Sequence, residues 1–255
     1  MHVLLVGLGN MGNKYFWKLE QMGERMVLCD IDPSKDKKTH PFYCHFGDVR
    51  EALRAVVVAV DPKEHASIAK EFLQKGLPVL LEKPPALSSE EFKTIKDFTG
   101  LFISEVESYS LCAEFIKKPE KSLSIERFGR GRGYLSPLWD LAWHDLYLLQ
   151  GVSRNIELKG LEVEDGVWTL KGYVEEVPFT LKVAWEHPQP RRLWRIDEDL
   201  LLDFGEEKVY ERGKLLKEGR RDKLRLMLED FLKGGFDRKG VERAYTNLKL
   251  LESLS

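Results

Sequence analysis

Long apolar runs are missing from this sequence. The longest, Ala55–Val60, falls far short of the ~18 residues that a membrane helix needs, so no membrane partner is expected. Cysteine is scarce: Cys29, Cys44 and Cys112 are odd in number and widely spaced, which excludes a disulfide framework and a zinc knuckle. A surplus of either charge is also missing. Forty Lys+Arg against 42 Asp+Glu leave a net charge of −2, which removes the global electrostatic case for a nucleic-acid partner. The opening residues carry no basic segment and no cleavage site, so the expected location is cytoplasmic. Amides are few, with four Asn and four Gln beside abundant Lys, Arg and Glu; this resembles the composition of hyperthermophile proteins.

What is present reads in two halves. In the first, short β-branched runs alternate with helical stretches. Strands are expected at His2–Val6, Arg25–Asp30, Ala55–Val60, Pro78–Glu82 and Leu101–Val106. Helices are expected at Met11–Met22, Asp48–Arg54, Pro62–Lys75 and Ser88–Phe98. Continuous apolar strands bounded by turns suit a parallel sheet covered on both faces. The second half has a short helix near 111–118, a strand at Ser122–Phe128 and a helix at Pro137–Gln150. Six strand-like runs follow between Ile156 and Glu211 without intervening helices, and two helices close the chain. Consecutive strands punctuated by turn residues form an antiparallel sheet. The expected fold class is therefore α/β: a Rossmann doubly wound parallel sheet in residues 1–115, then an α+β domain with a mainly antiparallel sheet in 116–255.

Gly7-Leu8-Gly9-Asn10-Met11-Gly12 is a G-x-G-x-x-G run between an expected strand and an expected helix. The first glycine makes the tight turn, the second admits a pyrophosphate to the backbone, and the third lets helix and strand pack closely. Asp30 ends the next strand, eighteen residues after Gly12. A carboxylate there accepts both ribose hydroxyls of NAD and repels the 2′-phosphate of NADP. NAD is thus the expected cofactor, with NADP as the alternative because Lys35, Lys37 and Lys38 follow closely. Those lysines read otherwise as a solvated loop. Glu82-Lys83-Pro84 closes a strand at the end where ligands bind in open parallel sheets. Lys83 there can stabilise a developing alkoxide. Asp140, His144 and Tyr147 fall on one helical face, where His144 is a natural general base. No third ligand accompanies them, so no metal is expected. Arg130 and Arg132, in the glycine-rich run from Arg127 to Gly133, read either as a solvated loop or as a clamp for an anionic substrate.

Together these motifs resemble the glucose–fructose oxidoreductase / inositol dehydrogenase family (Gfo/Idh/MocA). The residues that carry the resemblance are Gly7–Gly12, Val58-Ala59-Val60-Asp61-Pro62 with His65, Glu82-Lys83-Pro84, Asp140 to Asp145, and the closing helix from Gly240 to Ser253. The resemblance implies hydride transfer between a nicotinamide and a hydroxyl or carbonyl carbon of a sugar, polyol or related small molecule. It implies a catalytic set of Lys83, Asp140 and His144. It also implies a cofactor edge at Gly7, Gly9, Asn10, Met11, Gly12, Asp30, Val60, Pro62, His65, Glu82 and Lys83. Members are usually longer, so a trimmed chain is expected. Glu107-Ser108-Tyr109-Ser110-Leu111 replaces the family's Arg-aromatic-x-Pro segment, and Tyr147 stands where many members have Asp.

The reading is an NAD(P)-dependent dehydrogenase or reductase acting on CH–OH groups, with Tyr147, Arg130 and Arg132 toward the substrate. The alternatives are a non-catalytic NAD-binding sensor and a nucleotide-sugar dehydrogenase. Self-association is expected through the outer face of the C-terminal sheet, where Trp168 and Trp185 suggest a surface that is not simply wet.

Overall fold

The structure is a computed structural model that describes residues 1–254 apart from Tyr134, Gly235 and Asp237. A six-stranded parallel sheet contains β1 (His2–Val6), β2 (Met26–Cys29), β3 (Phe42–Tyr43), β4 (Leu53–Val58), β5 (Val79–Leu81) and β6 (Leu101–Ile103). Its order is β3-β2-β1-β4-β5-β6. The order reverses between β1 and β4, and a doubly wound sheet opens its ligand crevice at the carboxyl ends of such a pair. Val3 to Val6, Ala55 to Val58 and Val79 to Leu81 are all buried, as a sheet covered on both faces requires. The crossovers use α1 (Asn10–Gln21), α2 (Pro62–Gln74) and the short α3 (Ser89–Lys93). Asp61 caps α2 on the Lys63 N–H with Pro62 in the first turn, and Ser88 caps α3 on the Glu91 N–H.

The eight-stranded sheet holds β7 (Leu123–Phe128), β8 (Ile156–Glu164), β9 (Val167–Val174), β10 (Val177–Ala184), β11 (Arg191–Ile196), β12 (Leu200–Asp203), β13 (Lys208–Glu211) and β14 (Lys214–Glu218). Its order is β14-β13-β12-β11-β7-β10-β9-β8. Every pairing is antiparallel except β7 with β10. A parallel pair needs a long crossover, supplied here by α4 (Trp143–Leu149), β8 and β9. Asp165-Gly166 and Arg212-Gly213 turn two hairpins with positive φ at both positions, the signature of a two-residue turn matched to strand twist. The sheet is thus mixed, and mainly antiparallel as the sequence suggests.

The chain forms two compact units. One comprises Met1–Glu105 with Leu224–Tyr245, the other Val106–Lys223 with Thr246–Ser255; the division falls within the last helix, α6 (Arg238–Glu252), which follows α5 (Lys223–Leu232).

Three local expectations are corrected. The helix expected at Asp48–Arg54 is absent: a 3-10 turn spans Phe46–Asp48 and β4 begins at Leu53. Pairing decides this, because the His2 N–H donates to the Ala52 carbonyl at 2.8 Å and extends the ladder into that segment. The expected continuous helix Pro137–Gln150 is a π turn over Leu138–Ala142 followed by α4. Trp168 belongs to the inner side of its sheet, since it alternates with buried Leu170 and Val174 and pairs with buried Val183.

Candidate dinucleotide cradle and catalytic side chains

In the first unit, the turn from β1 into α1 is shaped by what its glycines avoid. Gly7 has φ +92°, and a Cβ there would lie 2.4 Å from the Ala59 carbonyl oxygen on the neighbouring strand end. A Cβ on Gly12 would lie 1.9 Å from the Gly7 carbonyl oxygen. Gly9 differs: nothing stands within 4 Å of where its Cβ would be, and it caps α1 without a side-chain acceptor. Two glycines therefore close the turn on itself, and the third leaves bare backbone at a helix N-terminus. Such a surface fits a pyrophosphate. Asp30 accepts the Leu8 N–H on Oδ2 at 2.7 Å, so the acid at the end of β2 is drawn up to the same turn. Asn10 is exposed and Met11 half-buried beside it.

Lys83 sits on a peptide held from both sides. The Glu82 carboxylate is buried; it accepts from the Tyr15 hydroxyl, from Ser104 Oγ at 2.8 Å and, on its other oxygen, from the Lys83 N–H at 3.2 Å. Burial, reinforced by Glu82, raises the Tyr15 phenol well above its ordinary range, so Tyr15 remains a donor. On the far side of a cis Lys83–Pro84 bond, the Pro84 carbonyl lies 2.7 Å from His65 Nδ1, and His65 Nε2 lies 3.1 Å from the Val60 carbonyl. Burial lowers the His65 pKa, which favours the neutral ring with a single N–H to donate. His65, Val60 and Pro62 thus cluster where α2 leaves β4.

In the second unit, the helix expected to carry the general base is almost wholly buried. From Leu141 to Gln150 every residue is buried except the half-buried His144; Tyr147 is 4% exposed. Asp140, half-buried, lies in the π turn, a device frequent at functional sites. Its carboxylate lies against Gly133, where a Cβ would come within 2.3 Å of Asp140 Oδ2 and 2.1 Å of the Trp185 ring. Trp185 Nε1 donates to the Leu135 carbonyl at 3.3 Å. Trp185 therefore packs against the glycine-rich run that ends in Gly133, with Arg130 and Arg132 exposed along it. Arg127 does not share their surroundings: it lies in β7 and is 2% exposed.

Arg127 is the centre of a buried charge cluster that the sequence analysis missed. Its guanidinium grips Asp145 with two bonds of 2.6 and 3.0 Å and reaches Glu107 at 3.3 Å. Asp145 also accepts from Trp194 Nε1 at 2.8 Å. Glu107 takes Arg192 at 3.0 Å and Lys223 at 2.8 Å, and Lys223 continues to Glu207 at 3.1 Å. Burial alone would raise the Glu107 carboxyl, but Arg127, Lys223, Arg192 and His144 together hold it well below the usual carboxylate range. The signal available in the sequence was the departure at Glu107, an acid in the segment where the family carries Arg-aromatic-x-Pro.

Burial pushes the Cys29 and Cys112 thiols up to about 12, so neither is a thiolate nucleophile at neutral pH. Among the described residues no group of three or more His, Cys, Asp or Glu is arranged to hold a metal ion, and no helix is long and apolar enough to cross a membrane.

Residues 1–99 match the model of an oxidoreductase family with an NAD-binding Rossmann fold, GFO_IDH_MocA. No curated protein sequence matches the chain. Solved structures share the fold over the whole length. UDP-N-acetylglucosamine 3-dehydrogenase GnnA from Acidithiobacillus ferrooxidans is 19% identical with a TM-score of 0.83, covering 100% of this chain and 97% of its own. A Gfo/Idh/MocA family oxidoreductase from Vibrio cholerae is 16% identical with a TM-score of 0.77, at 99% and 96% coverage. The 3-ketoreductase KijD10 from Actinomadura kijaniata, solved with TDP-benzene and NADP, is 13% identical with a TM-score of 0.81, at 100% and 96% coverage. This chain spans nearly the full length of those three. The cradle suits NAD(P), residues 1–99 match the NAD-binding Rossmann domain of the Gfo/Idh/MocA oxidoreductases, and the fold is shared over the whole chain.

Proposed function

We propose that the protein is an NAD(P)-dependent dehydrogenase or reductase that acts on a CH–OH carbon of a sugar, polyol or related small molecule. The observation that carries this reading is His144: the one residue between Leu141 and Gln150 that is not buried, on a helix locked by the Arg127–Asp145 pair. A half-buried imidazole on so rigid an element suits proton transfer at a fixed point. In the oxidative direction His144 takes the hydroxyl proton while Lys83 hydrogen-bonds the same oxygen and stabilises its partial charge. Asp140 orients His144 or the substrate. Bound NAD(P)⁺ supplies the acceptor for the hydride that leaves the carbinol carbon. Gly7, Gly9, Gly12 and the α1 N-terminus hold its phosphates, and Asp30 its adenosine ribose. In this reading residues 1–115 serve the dinucleotide, and 116–255 serve the substrate and self-association.

A nucleotide sugar is the second reading of the substrate. It is supported by Arg130 and Arg132, exposed along the run that ends against Asp140, because arginine forks suit phosphate. A panel of sugars, polyols and nucleotide sugars, followed by NADH and NADPH absorbance, tests both. Turnover of any CH–OH substrate supports the enzyme. Tight NADH binding without turnover across the panel would favour the non-catalytic sensor instead.

A further inference from the structure

Two arginines stand directly opposite each other in the eight-stranded sheet. Arg127 of β7 pairs with Arg192 of β11, so both side chains rise from one face, where like charges repel. That face carries α4: Arg127 grips Asp145, and Trp194, two residues beyond Arg192 and on the same side of β11, also donates to Asp145. Glu107 holds the two guanidinium groups together. Its Oε1 accepts from Arg127 Nη1 at 3.3 Å and from Arg192 Nη1 at 3.0 Å. Glu107 lies in the 3-10 turn Val106–Tyr109, which packs against α4. Despite burial, Arg127, Lys223, Arg192 and His144 hold its carboxyl low, so all four gather about one acid. The two arginines differ in what they have left to offer. Arg127 is buried and bonded along both edges, with Nε and Nη2 on the two oxygens of Asp145 and Nη1 on Glu107. Arg191 uses the same Nε–Nη2 edge on Glu126, at 2.8 and 3.1 Å. Arg192 commits Nη1 alone, and its side chain is 46% exposed. Its Nε–Nη2 edge has no partner among the described residues.

Resting on the reading of His144 as general base, we infer that Arg192 is a specificity-determining residue that binds a substrate carboxylate on its Nε–Nη2 edge. Two parallel N–H groups match the two oxygens of a carboxylate, and Arg127 and Arg191 use that edge in this way within the same sheet. Glu107 fixes the Arg192 guanidinium before a ligand arrives, so less side-chain freedom is lost on binding. Charge favours a carboxylate over a phosphate. Glu107, Asp145 and Glu207 balance Arg127, Arg192 and Lys223 within the cluster, and a single negative charge is accommodated there more easily than a phosphate dianion. The substrate class narrows to a sugar acid or polyhydroxy acid, oxidised at a CH–OH carbon near His144.

The test is steady-state kinetics of the full chain on neutral sugars, each paired with its uronic or aldonic acid and with its phosphate, beside calorimetric binding of the same compounds. The wild type should favour the acids in kcat/KM. Arg192→Met should lower the acid-to-neutral ratio of kcat/KM about 10- to 100-fold. Arg192→Lys should fall between the two, because it keeps the charge and loses the fork. Added salt should lower the wild-type ratio too, since the charge contact is screened; this arm decides the matter if Arg192→Met does not fold. A ratio unchanged in Arg192→Met, or unmoved by salt in the wild type, would make Arg192 a partner of Glu107 alone and overturn the inference. A preference for the phosphates over the acids would overturn the carboxylate assignment. If no compound is turned over, the enzyme reading fails, and calorimetry judges the site by itself. Acid binding that is lost in Arg192→Met would support it, whereas acid binding absent from the wild type or retained in the variant would overturn it.

Discussion

At the scale of single residues, the second unit invests most in Arg127. Buried ion pairs contribute little net stability when intact, but removing one partner leaves the others uncompensated. Arg127→Met strips the buried carboxylates of Asp145 and Glu107 of their shared partner. It should lower unfolding free energy by about 3–5 kcal/mol, read from urea denaturation. Glu107 makes the pH dependence specific. Its folded carboxyl lies below the ordinary value, so its contribution is present above the unfolded pKa of roughly 4.3 and is lost as pH falls toward the folded one. Glu107→Gln should therefore flatten the acid side of the stability curve below about pH 4; an unchanged slope there would mean that Glu107 does not carry it. Lys83→Met keeps the stem's packing and removes the charge. It should reduce kcat, measured on a substrate turned over by the wild type.

At the scale of elements, the sequence was most readable where burial is uniform. The runs at β1, β4 and β5 are apolar because both faces are covered, and their shortness between turn residues favours strands over buried helices. The glycine spacing was legible for a similar reason, since Gly7 and Gly12 have no room for a Cβ. Elements set by partners were hidden. β3 is two residues long, and β14 is exposed along its length with Lys at both ends of its apolar pair. Residues 48–54 have helical composition, yet pairing with β1 claims them. The π turn had no signal in the apolar spacing; around it Asp140 packs against Gly133, while Asp145 is fixed by Arg127 and Trp194. Gly133→Ala probes that arrangement. The added methyl must displace Trp185 or the Asp140 carboxylate, so Trp185 emission should shift and turnover should fall. Loss of thermal stability without either change would assign Gly133 to packing alone.

At the scale of the whole molecule, two expectations depend on surface. The outer side of the eight-stranded sheet carries an apolar row: half-buried Leu201 pairs with half-buried Tyr210, which pairs with exposed Leu215. Leu193 shares that side by alternation with Arg195, the partner of Leu201. This row replaces Trp168 as the argument for self-association, and light scattering at micromolar concentration should report an oligomer. Leu201→Lys should dissociate it. Ion pairs such as Arg54–Glu24, Arg238 with Asp97 and Glu242, and Glu126 with Arg191 and Arg195 fit the amide-poor composition. A melting midpoint above about 65 °C, beyond the mesophile range, is expected. The central claim is that a rigidly mounted His144 moves the proton in an NAD(P)-linked oxidation. Its most direct test is kcat for His144→Ala on a substrate turned over by the wild type, with NADH affinity measured alongside. The account predicts a fall of about 10²–10⁴ in kcat with NADH binding unchanged, and near-normal turnover in that variant would contradict it.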